Sequence, residues 1–194
     1  MKRILLMLAL AILIGQPAGA KKKKKDEKKV EKKEAPIRNG LFGVQKDKDK
    51  WYLLVPDSLI GREFLAVTRY VSTPSGAGIY GGEEANEQTF YWEKADNNLV
   101  LRSLAYLSVA DSTQNIYRAV KASDENPIVE VFKIEATNKD SARHASYKIE
   151  IGKFFNSDNL AVGINSSAKK RLNLLGLATG KSYIADIKTF PINT

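Results

Sequence analysis

The chain is 194 residues long, 43% apolar and 27% charged, with a formal net charge of +9. It has no cysteine and a single histidine. This excludes disulfide scaffolds, thiol nucleophiles, thiolate metal centres and multi-histidine metal sites, while carboxylate sites stay open.

Residues 1–20 have the pattern of a signal peptide. Lys2 and Arg3 precede the apolar run Ile4 to Ile14, Gly15 to Pro17 break it, and Ala18-Gly19-Ala20 offers a cleavage site. A spanning helix needs about 20 apolar residues, so this run is too short to anchor the chain. Export to the periplasm or the outside of the cell is expected. Without a cysteine at the cleavage site, lipoprotein attachment has no nucleophile.

Residues 21–35 follow as a lysine-rich tail with one valine, unable to bury a core and expected to be disordered. The start of the chain carries +2. Nine lysines against four acids add +5, so residues 35–194 hold the remaining +2. A nucleic-acid partner is not expected, because the basic charge is not on a folded, aromatic-bearing surface. The tail Lys21 to Lys33 can touch anionic surfaces only weakly and in a salt-dependent way.

From Pro36 the pattern becomes strands and turns. Gly40 to Val44 and Trp51 to Val55 form a hairpin around Lys46 to Asp49. Pro56 to Gly61 reads as a short helix or turn, and Glu63 to Val71 as a strand. A glycine-rich loop spans Ser72 to Glu84. Gln88 to Lys94 and Leu99 to Leu107 form a second hairpin, and Thr113 to Ala122 a short helix with Ile116, Tyr117 and Val120 on its apolar face. Ile128 to Ala136 and Ser146 to Ile151 are expected to pair. Leu172, Leu174, Leu175 and Leu177 demand burial, and Tyr183 to Phe190 is a last candidate strand. The expected fold is α+β and mostly β, with antiparallel hairpins and one or two short helices. Residues 36–135 are expected to form one β-rich domain, and 136–194 the start of a second, incomplete one.

Local signals for chemistry are weak. Gly76-Ala77-Gly78-Ile79-Tyr80-Gly81 matches G-x-G-x-x-G, but the following Gln88 to Trp92 is strand-like, so no strand–glycine–helix unit holds a pyrophosphate. Glu83, Glu84 and Glu87 lack the spacing of a calcium loop and read as a solvated cluster. His144 has no nucleophile elbow and reads as an exposed loop residue. Asn165-Ser166-Ser167 is a glycosylation triplet, a pattern that also arises by chance.

Three stretches carry a family resemblance: Trp51 to Leu65, Gly78 to Gln88, and Ile116 to Ser123 with Asn126-Pro127-Ile128. Together they resemble the N-terminal, pre-catalytic region of the secreted zinc-dependent metalloproteases of Bacteroidetes-type bacteria. The resemblance covers most of residues 38–135 and continues more weakly to Thr194. Its signature residues are Gly78, Tyr80, Gly81, Gly82, Glu83, Asn86, Glu87 and Gln88. In that family two regions of uncharacterised function precede a catalytic domain whose H-E-x-x-H helix binds zinc. This chain has no such motif, so no catalytic or metal-binding residue carries over and no cofactor is expected in it. The resemblance implies a piece truncated before the catalytic domain. Such a piece is inactive alone and serves that domain's folding, docking or substrate presentation. The alternative is a stand-alone exported module binding glycan or protein through Trp51, Tyr80, Tyr91 and Trp92. Strand alternation buries about half of such rings, so core packing competes with that use.

Overall fold

A computed structural model describes residues 35–104, 110–123, 125–139 and 144–194. The expected signal peptide and nearly all of the lysine-rich tail lie outside the described residues. Among the described residues the fold is mostly β: nine strands in two antiparallel sheets, with three short helices.

The first sheet holds β1 (Ile37–Arg38), β2 (Gly43–Asp47), β3 (Lys50–Pro56), β8 (Ala136–Lys139) and β9 (Ala145–Glu150), in the order β1-β2-β3-β9-β8. The second runs β4 (Glu63–Arg69), β5 (Glu84–Ala95), β6 (Asn98–Ser103), β7 (Ile128–Lys133). The helices are α1 (Tyr117–Ser123), α2 (Gly152–Phe155) and α3 (Ser166–Arg171).

The period-2 pattern of the strands sets the core. Val44, Leu53, Val55, Tyr147 and Ile149 from the first sheet join Phe90, Trp92, Leu99, Leu101 and Phe132 from the second in one buried cluster. Aromatic edges bind it together: Trp92 meets Phe132 at 5.6 Å between ring centres, and Phe132 meets Phe154 of α2 at the same distance. β3 is aromatic and branched, and it is buried on both faces. Its other face carries Tyr52, beneath the Lys148 ammonium at 4.3 Å, and Leu54, packed tightly over Gly43. Both expected hairpins form, β2–β3 and β5–β6, each on a two-residue turn. The second turn holds Asp96 at φ 49°, a conformation that aspartate tolerates better than most residues.

Several expectations need correction. The strand expected over 128–136 is broken at Ile134 and Glu135. Its first part pairs with β6, and only its last residue joins the other sheet, Ala136 opposite Lys148. The main partner of β9 is β3. The break arises because Ile134 turns into the core while its N–H bonds the Asn97 carbonyl. β3 and β9, on either side of residue 135, pair in one sheet, and the described residues from 35 onward lie in one compact unit. Residues 183–190 form no strand. Side chains and one backbone bond hold them instead: Arg38 bonds Asp186 at 2.7 Å and the Ile187 carbonyl at 3.1 Å, Thr189 donates to the Phe42 carbonyl at 2.8 Å, and the Leu41 N–H donates to the Phe190 carbonyl at 2.6 Å. Of the four leucines expected to need burial, Leu172 is half-buried and the other three are not buried. Leu174 and Leu177 are exposed and Leu175 stands fully in solvent.

Tyr147 ties β9 to the turn after β3. Its hydroxyl donates to Asp57 Oδ1 at 2.7 Å. The Asp57 carboxylate first, and burial second, push this phenol above its ordinary range, and burial raises Tyr52 as well. A raised phenol favours the folded state fully below the unfolded value near pH 10, and this contribution is lost as pH rises through the folded value. Stability is therefore expected to fall in alkali beyond about pH 10. Tyr147→Phe should flatten that fall and cost about 1 kcal/mol at pH 7, read by denaturant melts.

Candidate functional site

The signature residues sit where β4 turns into β5. Gly82, at φ 92°, adopts a conformation that a side chain would strain, and its N–H reaches the Tyr70 carbonyl at 2.6 Å. Gly81 packs so closely that a Cβ would collide with the Val71 carbonyl. The Tyr80 N–H donates to Glu83 Oε1 at 2.7 Å, and the Tyr70 N–H to the Glu83 carbonyl at 3.0 Å. Ile79 plugs the loop into the body, with Thr73 Oγ1 donating to its carbonyl. Gly78, at φ 66°, precedes it in open space. The loop is a self-bonded cap on a hairpin. The antiparallel return through β5 replaces the helix that a dinucleotide site requires.

Asn86 is 5% exposed, on β5. Its Nδ2 donates to the carbonyls of Leu160 at 2.8 Å and Ala161 at 3.1 Å. Asn165 answers from the other side. Its Nδ2 donates to the Ala85 carbonyl at 2.8 Å, while its Oδ1 accepts from Ala168 N and caps α3. The two asparagines fasten the segment 156–165 to β5. A glycan on Asn165 Nδ2 would displace the Ala85 bond. The strand pattern gave no sign of this clamp, because both asparagines bond to backbone far away in sequence.

The remaining signature residues do not converge on a centre. Glu83 serves the loop, Glu84 pairs with Arg69 at 3.8 Å, Glu87 faces solvent on β5, and Gln88 accepts from Ser103 Oγ at 3.4 Å. Among the described residues no group of three or more His, Cys, Asp or Glu side chains is placed to hold a metal. His144 is exposed, one residue before β9. Of the four rings proposed for ligand binding, Trp51 and Trp92 are buried, Tyr91 is half-buried, and Tyr80 alone stands out, 76% exposed.

Two clefts mark the surface. One, of about 580 Å³, is lined by Lys46, Asp49, Trp51, Glu150, Asn156 and Tyr183. It combines two rings with charged and amide groups, and the Lys46 ammonium lies 4.8 Å from the Trp51 ring centre. The second, of about 550 Å³, is apolar and runs beside β4, with Phe64, Phe90 and Trp92 in its wall and Ile184 and Ile187 across it. The Trp92 indole N–H is buried and has no acceptor among the described residues. Neither cleft was visible in the sequence, because each is closed by the irregular segment after residue 180. No helix among the described residues is long and apolar enough to cross a membrane.

No curated protein matches this chain. No solved structure matches it either. Two family models do: a domain of unknown function, DUF5118, over residues 24–73, and a second, DUF5117, over residues 82–194. The second covers more than half of the sequence, and the chain belongs to the DUF5117 family.

Proposed function

We propose that this chain is a non-catalytic supporting module of a secreted zinc-dependent metalloprotease of the Bacteroidetes type, exported through its first twenty residues. Its work would be to fold, dock or present substrate to a catalytic domain. The observation that supports this reading is the apolar surface left in solvent along 174–192. Leu175, Tyr183 and Ile192 are each more than four-fifths exposed, and Leu174, Leu177 and Phe190 extend the same run. Such a surface calls for a protein partner. Zinc enters only with that partner, and the lysine-rich tail adds at most a weak electrostatic hold on anionic surfaces.

The test is the mass of the native product. An antibody against residues 36–135 would capture it from the source cells. A product several times larger, carrying H-E-x-x-H, or this chain in stable complex with such a protein, supports the reading. A product with the mass of residues 21–194 and no bound protease overturns it.

A second reading, an exported glycan- or protein-binding module, draws on the cleft of about 580 Å³, where Trp51 and Tyr183 stand beside Asp49, Glu150 and Asn156. The exposed Tyr183 ring with flanking hydrogen-bonding groups suits a sugar, and the buried Trp51 in the wall would report its arrival. Titration with oligosaccharides should then change tryptophan emission, and Tyr183→Ala should abolish the change.

A further inference from the structure

Sheet edges are exposed templates, and proteins usually blunt them by shortness, lysine, proline or bulges. Three edges here follow that practice. β1 has two residues, β8 has four and ends in Lys139, and β7 starts after Pro127, carries Glu130 and Lys133, and is irregular in register with β6. β4 does so least. It has seven residues, Glu63-Phe64-Leu65-Ala66-Val67-Thr68-Arg69, with neither lysine nor proline, and its one irregularity, in register with β5, falls at its last step between Thr68 and Arg69. Among the described residues its only strand partner is β5. The apolar cleft borders it from Phe64 to Thr68.

The sequence of β4 complements itself. Laid antiparallel to a second copy about a two-fold axis at Ala66, Glu63 faces Arg69 of the other copy, Leu65 faces Val67, and both relations repeat by symmetry. Every pair joins residues of like parity, as an antiparallel ladder requires. All four side chains lie on the same face of the strand and are exposed, Leu65 by 57% and Val67 by 40%. Pairing would bury a patch of two leucines and two valines between two ion pairs. Within its own sheet Arg69 lies beside Glu84, so each guanidinium would stand between two carboxylates and no like charges would be opposed. A shifted register loses both the charge match and the apolar match.

We propose that two copies of this chain associate through β4, antiparallel about Ala66, joining their four-stranded sheets into one of eight strands. The contact is isologous and closes at two copies. It is independent of the function proposed above.

The test is charge exchange, read by sedimentation equilibrium of the chain purified in the form the cell releases. The wild type should associate reversibly to a dimer. Glu63→Arg or Arg69→Glu alone turns both ion pairs into repulsions and should weaken association by about tenfold. The double variant should restore it, and an equimolar mixture of the two single variants should form a mixed dimer. Leu65→Lys, on an already exposed face, should also weaken association without altering the circular dichroism. A wild type that stays monomeric to millimolar concentration overturns the proposal. So does association that survives the single exchanges, or a folded double variant that does not recover.

Discussion

Residues 24–73 and 82–194, produced as separate polypeptides, are each expected to stay unfolded, and an equimolar mixture is expected to recover the native strand signal. The two segments match two different family models, yet every sheet is built across them. β3 lies between β2, in its own segment, and β9, in the other. β4 belongs to the first segment and pairs along its whole length with β5 of the second. The core cluster interleaves Val44, Leu53 and Val55 with Phe90, Leu99 and Ile149. Cut apart, the first segment would expose a two- to three-stranded ribbon with its aromatic face in water, which is marginal at best. The second would lose the strands that cover both of its sheets. The measurement is far-UV circular dichroism and a thermal melt of each segment and of the mixture. A cooperative melt from either segment alone would show that the two are independent domains. A nick in the exposed loop 74–78 of the intact chain should, by contrast, leave the melt intact, since the two pieces remain paired along β4 and β5.

Legibility in the sequence followed the range of the interactions. The hairpins β2–β3 and β5–β6 were readable because alternation and a polar two-residue turn are local. So was the α+β, mostly β class. The loop 72–84 was readable as a loop because its glycines precede a strand and not a helix. Which sheet each strand joins was not readable. The run 128–136 carries one continuous apolar pattern, but Ile134 enters the core at a bend and sends the two halves to different sheets. The segment 183–190 alternates like a strand, yet the ion pair of Arg38 with Asp186 and the Thr189 hydroxyl fix it in place without a ladder. The signature residues were visible as unusual, since strand patterning does not demand glycines and amides. Their roles were hidden, because the partners of Asn86 lie more than seventy residues away.

Those roles separate by mutation. Asn86→Ala is expected to cost about 2–3 kcal/mol, lowering the melting temperature by roughly 5–10 °C in a body of this size. The side chain is nearly fully buried, and its amide satisfies two carbonyls of the segment that carries Asn159 and Asn165. Removing it strands both acceptors where water enters poorly, which costs more than the hydrogen bonds were worth in isolation. It also frees 156–165, whose Val162 and Ala161 pack on the shared core and whose Val162 carbonyl holds Thr68 of β4 at 2.8 Å. Limited proteolysis should therefore cut first between 156 and 165. Tyr80→Ala, six residues before Asn86 in the same run, should change stability by less than about 0.5 kcal/mol, because its ring stands in solvent and the bond it gives the loop comes from its backbone N–H. Any effect of Tyr80→Ala then belongs to what the loop touches. A larger loss of stability from Tyr80→Ala than from Asn86→Ala would reverse this assignment and make the loop, not the clamp, the element that holds the two sheets in register.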